Sequence, residues 1–273
     1  MNRATEYKHD MDLSGKVAVV TGASMGIGEA IAKLFVQHGA HVVFLSRDTA
    51  RAEAARARAG QTERTIALSC DIRNREEIDK VINLTVHSFH RIDIWVNNAG
   101  KGIMDASDQA DMSSVRDVFS LNFFGALESM QAVVPVMKQQ GSGTIINISS
   151  VAGHMPLPFH GVYSATKFAL NAIGKAARIE LKSSGINVLT VCPGYVRTDF
   201  GKNLVRGSEA KTVRPTQTRG ISAERVARAT LQGYLKQKRE VVVPWHMHPV
   251  IKLYQLFPGI VEWGMLKMVR QAN

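Results

Sequence analysis

The 273-residue chain predicts one α/β domain, a doubly wound parallel sheet of about seven strands with helices on both faces. Short β-rich runs alternate with stretches of helical periodicity along the chain. The strand runs are continuously apolar rather than alternating, the pattern of strands covered on both faces. A glycine-rich turn, TGASMGIG at 21–28, joins the first run to the first helical stretch.

The elements follow in order. KVAVVT at 16–21 leads through the glycine turn into GIGEAIAKLFVQHG, where Ile27, Ile31, Leu34 and Phe35 make one apolar stripe. HVVFLS, TIALSC, IDIWVNN, TIINISS, INVLTVCP and EVVVP are the further strands, and helices are expected to begin near Asp48, Asn74, Met112, Phe159 and Ser222. With 45% apolar residues and no linker or composition break, residues 1–273 read as a single unit. It is expected to carry a Gly-punctuated substrate lid at about 198–220 and an apolar C-terminal extension at about 244–273.

Composition narrows the function classes. The first sixteen residues are charged throughout, and Pro244, Pro249, Lys252, Pro258, Glu262 and Lys267 interrupt the C-terminal apolar segment, so neither a signal peptide nor a membrane span is expected. Cys70 and Cys192 end strands that a doubly wound order would set far apart, so both are expected as free thiols, as in a reducing, cytoplasmic setting. The net charge is +11, and eleven Lys/Arg against four Asp/Glu fall between Arg197 and Glu240. No aromatic-interleaved basic motif, zinc spacing or helix-turn-helix signature accompanies that excess, which argues against a nucleic-acid partner. His246 and His248 flank Met247 without carboxylate or thiol neighbours, so no metal is expected there.

The chemistry begins with Tyr163 and Lys167, four residues apart in YSATKFALNAIGKAARIEL and therefore on one helix face. A cation beside a phenol favours the phenolate, and at about 4 Å the effect would reach roughly three pKa units. In the glycine turn, Gly22, Gly26 and Gly28, with Ser24 and Ile27 between them, allow close approach of a pyrophosphate to the backbone and to a helix N-terminus. At the end of the second strand, where a carboxylate would meet a free ribose 2′-hydroxyl, stand Ser46 and Arg47, which suit a 2′-phosphate. NADP is therefore favoured over NAD, although Asp48 is adjacent and free to turn inward, and Met25 stands where a second basic residue would strengthen the preference.

TGASMGIG, NNAG at 97–100, Asn122, the serine of NISSVAG, YSATK and PGYVRT occur together and in order, and on them the chain resembles the short-chain dehydrogenase/reductases. The resemblance covers about residues 16–200 and implies a Rossmann fold with strand order 3-2-1-4-5-6-7, NAD(P)-dependent chemistry on a CH–OH group, and a homo-oligomer. It implies Asn122, Ser150, Tyr163 and Lys167 as the catalytic group, with Ser149 structural. It implies Asp71 and Ile72 at the adenine, Asn98, Ala99 and Gly100 beside its ribose, and Pro193, Gly194, Val196 and Thr198 against the nicotinamide. Tyr163 and Lys167 would serve the cofactor as well.

Met104, Met155, Leu157, Phe159 and Tyr195 suggest an apolar pocket, hence a small hydrophobic ketone or secondary alcohol as substrate. A dinucleotide-sensing protein without catalysis on the same fold is the alternative, and it would have no chemical need for all four catalytic residues. The extension, rich in large apolar groups, is open to three roles: a peripheral membrane contact, a cap over the substrate, or a strip packed on another subunit.

Overall fold

A computed structural model describes residues 12–207 and 220–272, so the centre of the expected lid lies outside the described residues. The main sheet is built from β1 (Val17–Thr21), β2 (His41–Ser46), β3 (Thr65–Ser69), β4 (Ile94–Asn97), β6 (Gly143–Ile148), β7 (Ile186–Pro193) and β9 (Glu240–Val243). All pairs are parallel, in the spatial order β3-β2-β1-β4-β6-β7-β9, which is the expected order with its crossover between β1 and β4.

The helices are α1 (Gly26–Gln37), α2 (Thr49–Ala59), α3 (Arg75–Phe89), α4 (Met112–Phe119), α5 (Gly125–Gln140), α6 (Gly161–Glu180), α7 (Ala223–Leu235), α8 (Met247–Leu256) and α9 (Pro258–Ala272). Alternate strand residues point to opposite faces, which divides the core in two. Val20, Phe44 and Ile146 meet Ile31 and Phe35 of α1 and Val226 of α7 on one face. On the other, Val19, Val43 and Trp95 meet Ile78 of α3 and Val133 of α5. Val19 sits in register between Val43 and Trp95, so the sheet is sealed on both sides at its centre.

Local chemistry sets the helix starts. Asp48, Asn74, Asp111 and Ser222 accept a backbone N–H through their side chains at the N-termini of α2, α3, α4 and α7, each cap contributing about 1 kcal/mol. α1 differs: Met25 precedes it and supplies no capping bond. α4 runs into α5 through a π-helical turn, Ser120–Phe124, which a period of 3.6 in the sequence does not reveal. A small second sheet pairs β5 (Ile103–Met104) with β8 (Val205–Arg206); two-residue strands carry no readable pattern and had no sequence signal.

The crossover is fastened by side chains. Thr21 Oγ1 donates to Val96 O (3.1 Å) and accepts from the N–H groups of Asn98 (2.9 Å) and Ala99 (3.0 Å). Asn98 Nδ2 returns bonds to Thr21 O (2.9 Å) and Gly22 O (3.1 Å). Asn98 therefore straps the glycine turn to the end of β4, and Gly28 fits beneath it: a Cβ there would lie 2.3 Å from Asn98 Nδ2 and 2.4 Å from Gly22 O. Gly28→Ala should lower stability by roughly 2 kcal/mol, read as a reduced midpoint in urea unfolding; an unchanged midpoint would show that the turn can yield.

Candidate active site

The expected catalytic residues come from three adjacent elements. Ser150 follows β6, Tyr163 and Lys167 lie one turn apart on α6, and Asn122 sits in the π-helical turn between α4 and α5. The Ser150 hydroxyl faces Tyr163 closely enough to favour its phenolate form. Ser150 Oγ also accepts from Ala152 N–H (3.1 Å) and lies 3.5 Å from Pro193 O, so β6, the turn after it and the end of β7 fix its position. Ser149 is buried and its hydroxyl faces Lys167 O at 3.5 Å.

Lys167 is 5% exposed and donates from Nζ to Ile148 O at 3.0 Å. No carboxylate pairs with it among the described residues. Burial consequently pushes its pKa from 10.5 down to about 8.

The expected depression of the Tyr163 pKa by this lysine is corrected by the structure. Burial dominates and pushes the phenol from 10.0 up to about 12, the Ser150 hydroxyl opposes it, and the Cys192 thiol adds to the rise. The ammonium lies 5.7 Å from the ring centroid and donates to Ile148 O, so its one hydrogen bond among the described residues goes to the backbone. Two half-sealed groups lose solvation together, and desolvation disfavours both charged forms.

Asn122 spends its side chain on the backbone of Lys101. Oδ1 accepts from Lys101 N–H and Nδ2 donates to Lys101 O, both at 2.9 Å, with a further bond to Thr166 Oγ1 at 3.2 Å. It thus ties the segment after β4 to α6. Gly100 lies against it, its Cβ position 3.1 Å from Asn122 Oδ1.

The expected cofactor positions line the carboxyl ends of β1, β2, β3, β4 and β7. Gly22 and Gly26 adopt φ of +63° and +62°, and the Cβ position of Gly26 faces Thr198 Cγ2 at 3.4 Å, so Ser24, Ile27 and Thr198 flank one mouth. A groove of about 860 Å³ between α1 and α7 opens beside them, lined by Gly26, Lys33, Gln37, Arg197, Thr198 and Arg228 among others. Ser46 Oγ accepts from Asp48 N–H (3.3 Å), while Asp48 caps α2 and pairs with Arg51 at 3.3 Å. The carboxylate is committed there and does not turn inward. Arg47 is exposed, and its guanidinium has no hydrogen bond among the described residues.

Asp71 is engaged with protein rather than free. Arg73 grips its carboxylate through Nε at 2.9 and 3.1 Å, bonds Asp117 at 2.8 Å, and holds the Asp71 pKa low; Lys101 pairs with Asp117. Ile72 is buried beneath α5, where Gly125 approaches its carbonyl. Val196 bridges to Ile221, and Gly194 N–H donates to Val243 O at 2.8 Å.

Other parts of the site had no sequence signal. After Thr198, which caps a 3-10 turn over Asp199–Asn203, the ring of Phe200 reaches 5.9 Å from that of Tyr163, centroid to centroid. Pairing of β8 with β5 pins this segment, and Gly102 makes room: its Cβ would lie 2.1 Å from Leu204 Cδ2. The described part of the lid is therefore docked. Met104 and Met155 are buried, whereas Tyr195 is 59% exposed, so the apolar wall beside Tyr163 is made more by Phe200 than by the expected set. Behind Lys167, His154 Nε2 meets Glu240 Oε2 at 3.2 Å and Cys192 Sγ at 3.4 Å. Both cysteines are free and buried, and burial raises both thiol pKa values.

Comparison with known proteins agrees with the fold. A family model described as short chain dehydrogenase matches residues 16–209, and the chain belongs to that family of oxidoreductases. It is 31% identical over 279 residues to a dehydrogenase/reductase SDR family protein 7-like of Drosophila melanogaster, covering 97% of this chain and 84% of that one. It is 33% identical over 233 residues to the ketoacyl reductase HetN of Nostoc sp., covering 85% and 79%. A short-chain dehydrogenase from Streptomyces avermitilis superposes with a TM-score of 0.81 at 30% identity, covering 95% of this chain and 100% of that one. A Burkholderia phymatum family member solved in complex with NAD gives 0.78 at 23% identity, over 89% and 94%, a likeness of fold.

The buried amine makes stability pH-dependent in a defined direction. Between about 8 and 10.5 the unfolded chain holds a proton on Lys167 that the folded chain has lost, so this group makes stability rise with pH across that window. Tyr163, raised to about 12, acts oppositely above 10.0. Lys167→Met should therefore gain less stability, or lose more, than the parent between pH about 7 and about 9.5 in urea titrations; identical changes would place the Lys167 pKa in its ordinary range.

Proposed function

We propose that the chain is a nicotinamide-dependent oxidoreductase that interconverts a hydrophobic ketone and a secondary alcohol, with NADPH-driven carbonyl reduction as the working direction. The observation that carries this reading is the convergence of the Ser150 hydroxyl and the Tyr163 phenol beside the buried Lys167 at the carboxyl ends of β6 and β7. The names of the Drosophila and Nostoc relatives, a dehydrogenase/reductase and a ketoacyl reductase, support the same chemistry.

The residues fit a dinucleotide. α1 begins without a side-chain cap, so its first N–H groups and positive end face the glycine turn, which suits a pyrophosphate. Gly22 and Gly28 let the turn pack closely on Ala99 and Asn98, Gly26 leaves the backbone open beside α1, and Thr198 closes the opposite side. Asp48 is engaged at α2 and the exposed Arg47 guanidinium makes no hydrogen bond among the described residues, which favours a 2′-phosphate and so NADP over NAD. When bound, a reduced nicotinamide would supply the hydride.

The chain's own groups handle charge and proton. With its pKa near 12, Tyr163 is fully protonated at neutral pH and holds the proton that a reduced carbonyl oxygen takes up. Ser150 would donate to that oxygen as it becomes negative, an oxyanion-type contact contributing about 3 kcal/mol. Lys167, cationic below about 8, would stabilise the phenolate left behind. Asn122 acts on position, holding the Lys101 segment against α6. Phe200 excludes water on the open side of the Tyr163 ring and favours an apolar substrate. Exposed Phe124, Phe168 and Ile179 on the π turn and α6 supply an apolar face for pairing subunits in a homo-oligomer.

Tyr163→Phe should lower turnover at least about a hundredfold while cofactor binding, read by quenching of protein fluorescence, is retained. Full activity in that variant refutes the role. In the parent, absence of turnover across a ketone and alcohol panel with both cofactors would favour the dinucleotide-sensing alternative. Arg47→Asp should cut the NADPH-over-NADH ratio of kcat/KM by at least about tenfold; an unchanged ratio would remove the NADP preference.

A further inference from the structure

The C-terminal extension forms a surface that the redox chemistry does not use. α8 and α9 pack on each other as a bent pair. Across the bend, Leu253, Leu256, Ile260, Trp263 and Leu266 recur every three or four residues, and each is at least 40% exposed. Within each helix that spacing sets the group along one side, Leu253 and Leu256 on α8 and Ile260, Trp263 and Leu266 on α9, joined through the non-helical Phe257, while Val261 and Met265 are half-buried. A row of large apolar side chains left in water calls for an occupant.

The composition of the row identifies it. Of the chain's three tryptophans, Trp95 is fully buried in the core, whereas Trp245 and Trp263 stand exposed in the extension. The Lys267 ammonium lies 3.4 Å from the Trp263 ring centroid. Lysine is depleted from the dry centre of a protein–protein contact, but tryptophan with lysine at its edge suits a lipid–water boundary, where the ring lies among headgroups and the ammonium reaches phosphate.

Charge points the same way. From 244 to 273 the sequence holds three Lys/Arg, Lys252, Lys267 and Arg270, against one acidic residue, Glu262. A second copy would set this positive excess against itself, whereas an anionic bilayer complements it. The faces of the π turn and α6 remain for subunit pairing. With 10 and 15 residues, α8 and α9 are about 15 and 22 Å long, and among the described residues no helix is long and apolar enough to cross a membrane. The pair suits an orientation in the plane of the surface.

We propose that α8 and α9 dock the protein on an anionic lipid surface, the apolar row immersed at headgroup level and the basic side chains on lipid phosphates. The docked base lies close to the redox site: Pro244 and Met247 pack beside Gly194, next to the end of β7. If the proposed reading of the site holds, an apolar carbonyl substrate drawn from the bilayer enters from that side. Docking itself does not depend on that reading.

Flotation of the full chain with vesicles tests this, using phosphatidylcholine alone or with about one-third phosphatidylserine. A variant combining Leu256→Gln, Trp263→Gln and Leu266→Gln changes only exposed side chains, and circular dichroism confirms its fold. The expected result is parental binding to anionic vesicles, at least about tenfold weaker on neutral ones, and at least about tenfold weaker in the variant, with lipid-free sedimentation unchanged. Lack of parental flotation, equal flotation of the variant, or a smaller lipid-free particle in the variant would each overturn it, the last by assigning the face to a second copy.

Discussion

A buried amine that meets no carboxylate among the described residues organises this molecule. Lys167 is held against Ile148 O, where β6 ends, and its cost of burial is tolerated because the carbonyl meets it directly. Neighbouring groups arrange themselves around that bond. Ser149 backs the helix at Lys167 O, Ser150 turns the next hydroxyl toward Tyr163, and Asn122 and Thr166 tie α6 to the segment after β4. The same burial that lowers the lysine pKa raises that of the tyrosine. Acid and cation are thus kept in their protonated forms together through neutrality, rather than one being created by the other.

The second constraint is the fastening of β1 to β4. Thr21 and Asn98 exchange bonds across the crossover, and the resulting strap leaves room under it only for glycine at 28. This places the uncapped start of α1 at the strand ends, in line with β7 and Thr198. Fold and site are therefore one construction. The bonds that hold the two halves of the sheet together also define where an anionic ligand would lie.

Around this rigid centre the charged groups are less free than composition suggests. The basic stretch after Arg197 reads as an open positive field, yet Arg197 bonds Gly220 O at 2.7 Å and Lys202 pairs with Asp199 at 2.6 Å. Near the adenine end, Asp71, Arg73, Asp117 and Lys101 form a chain that stiffens the loops after β3 and β4. Arg47 is exposed and its guanidinium makes no hydrogen bond among the described residues, yet its charge reaches Asp71 and Lys101 of that chain.

What the sequence determined by itself was whatever is written in short-range pattern: seven apolar runs, the glycine turn, helix starts near Asp48, Asn74 and Ser222, and the Tyr163–Lys167 spacing. Each depends on neighbours within a turn or a strand, where period and side-chain chemistry leave few choices. Tertiary structure alone decided the rest. The β5–β8 pair joins residues about a hundred positions apart, Phe200 reaches Tyr163 only because that pair is made, and His154, Cys192 and Glu240 meet through three separate elements. The proton affinities of Tyr163 and Lys167 belong to this second group. Spacing on a helix reports which groups are near, but desolvation is set by everything packed around them, and here it outweighs their mutual attraction.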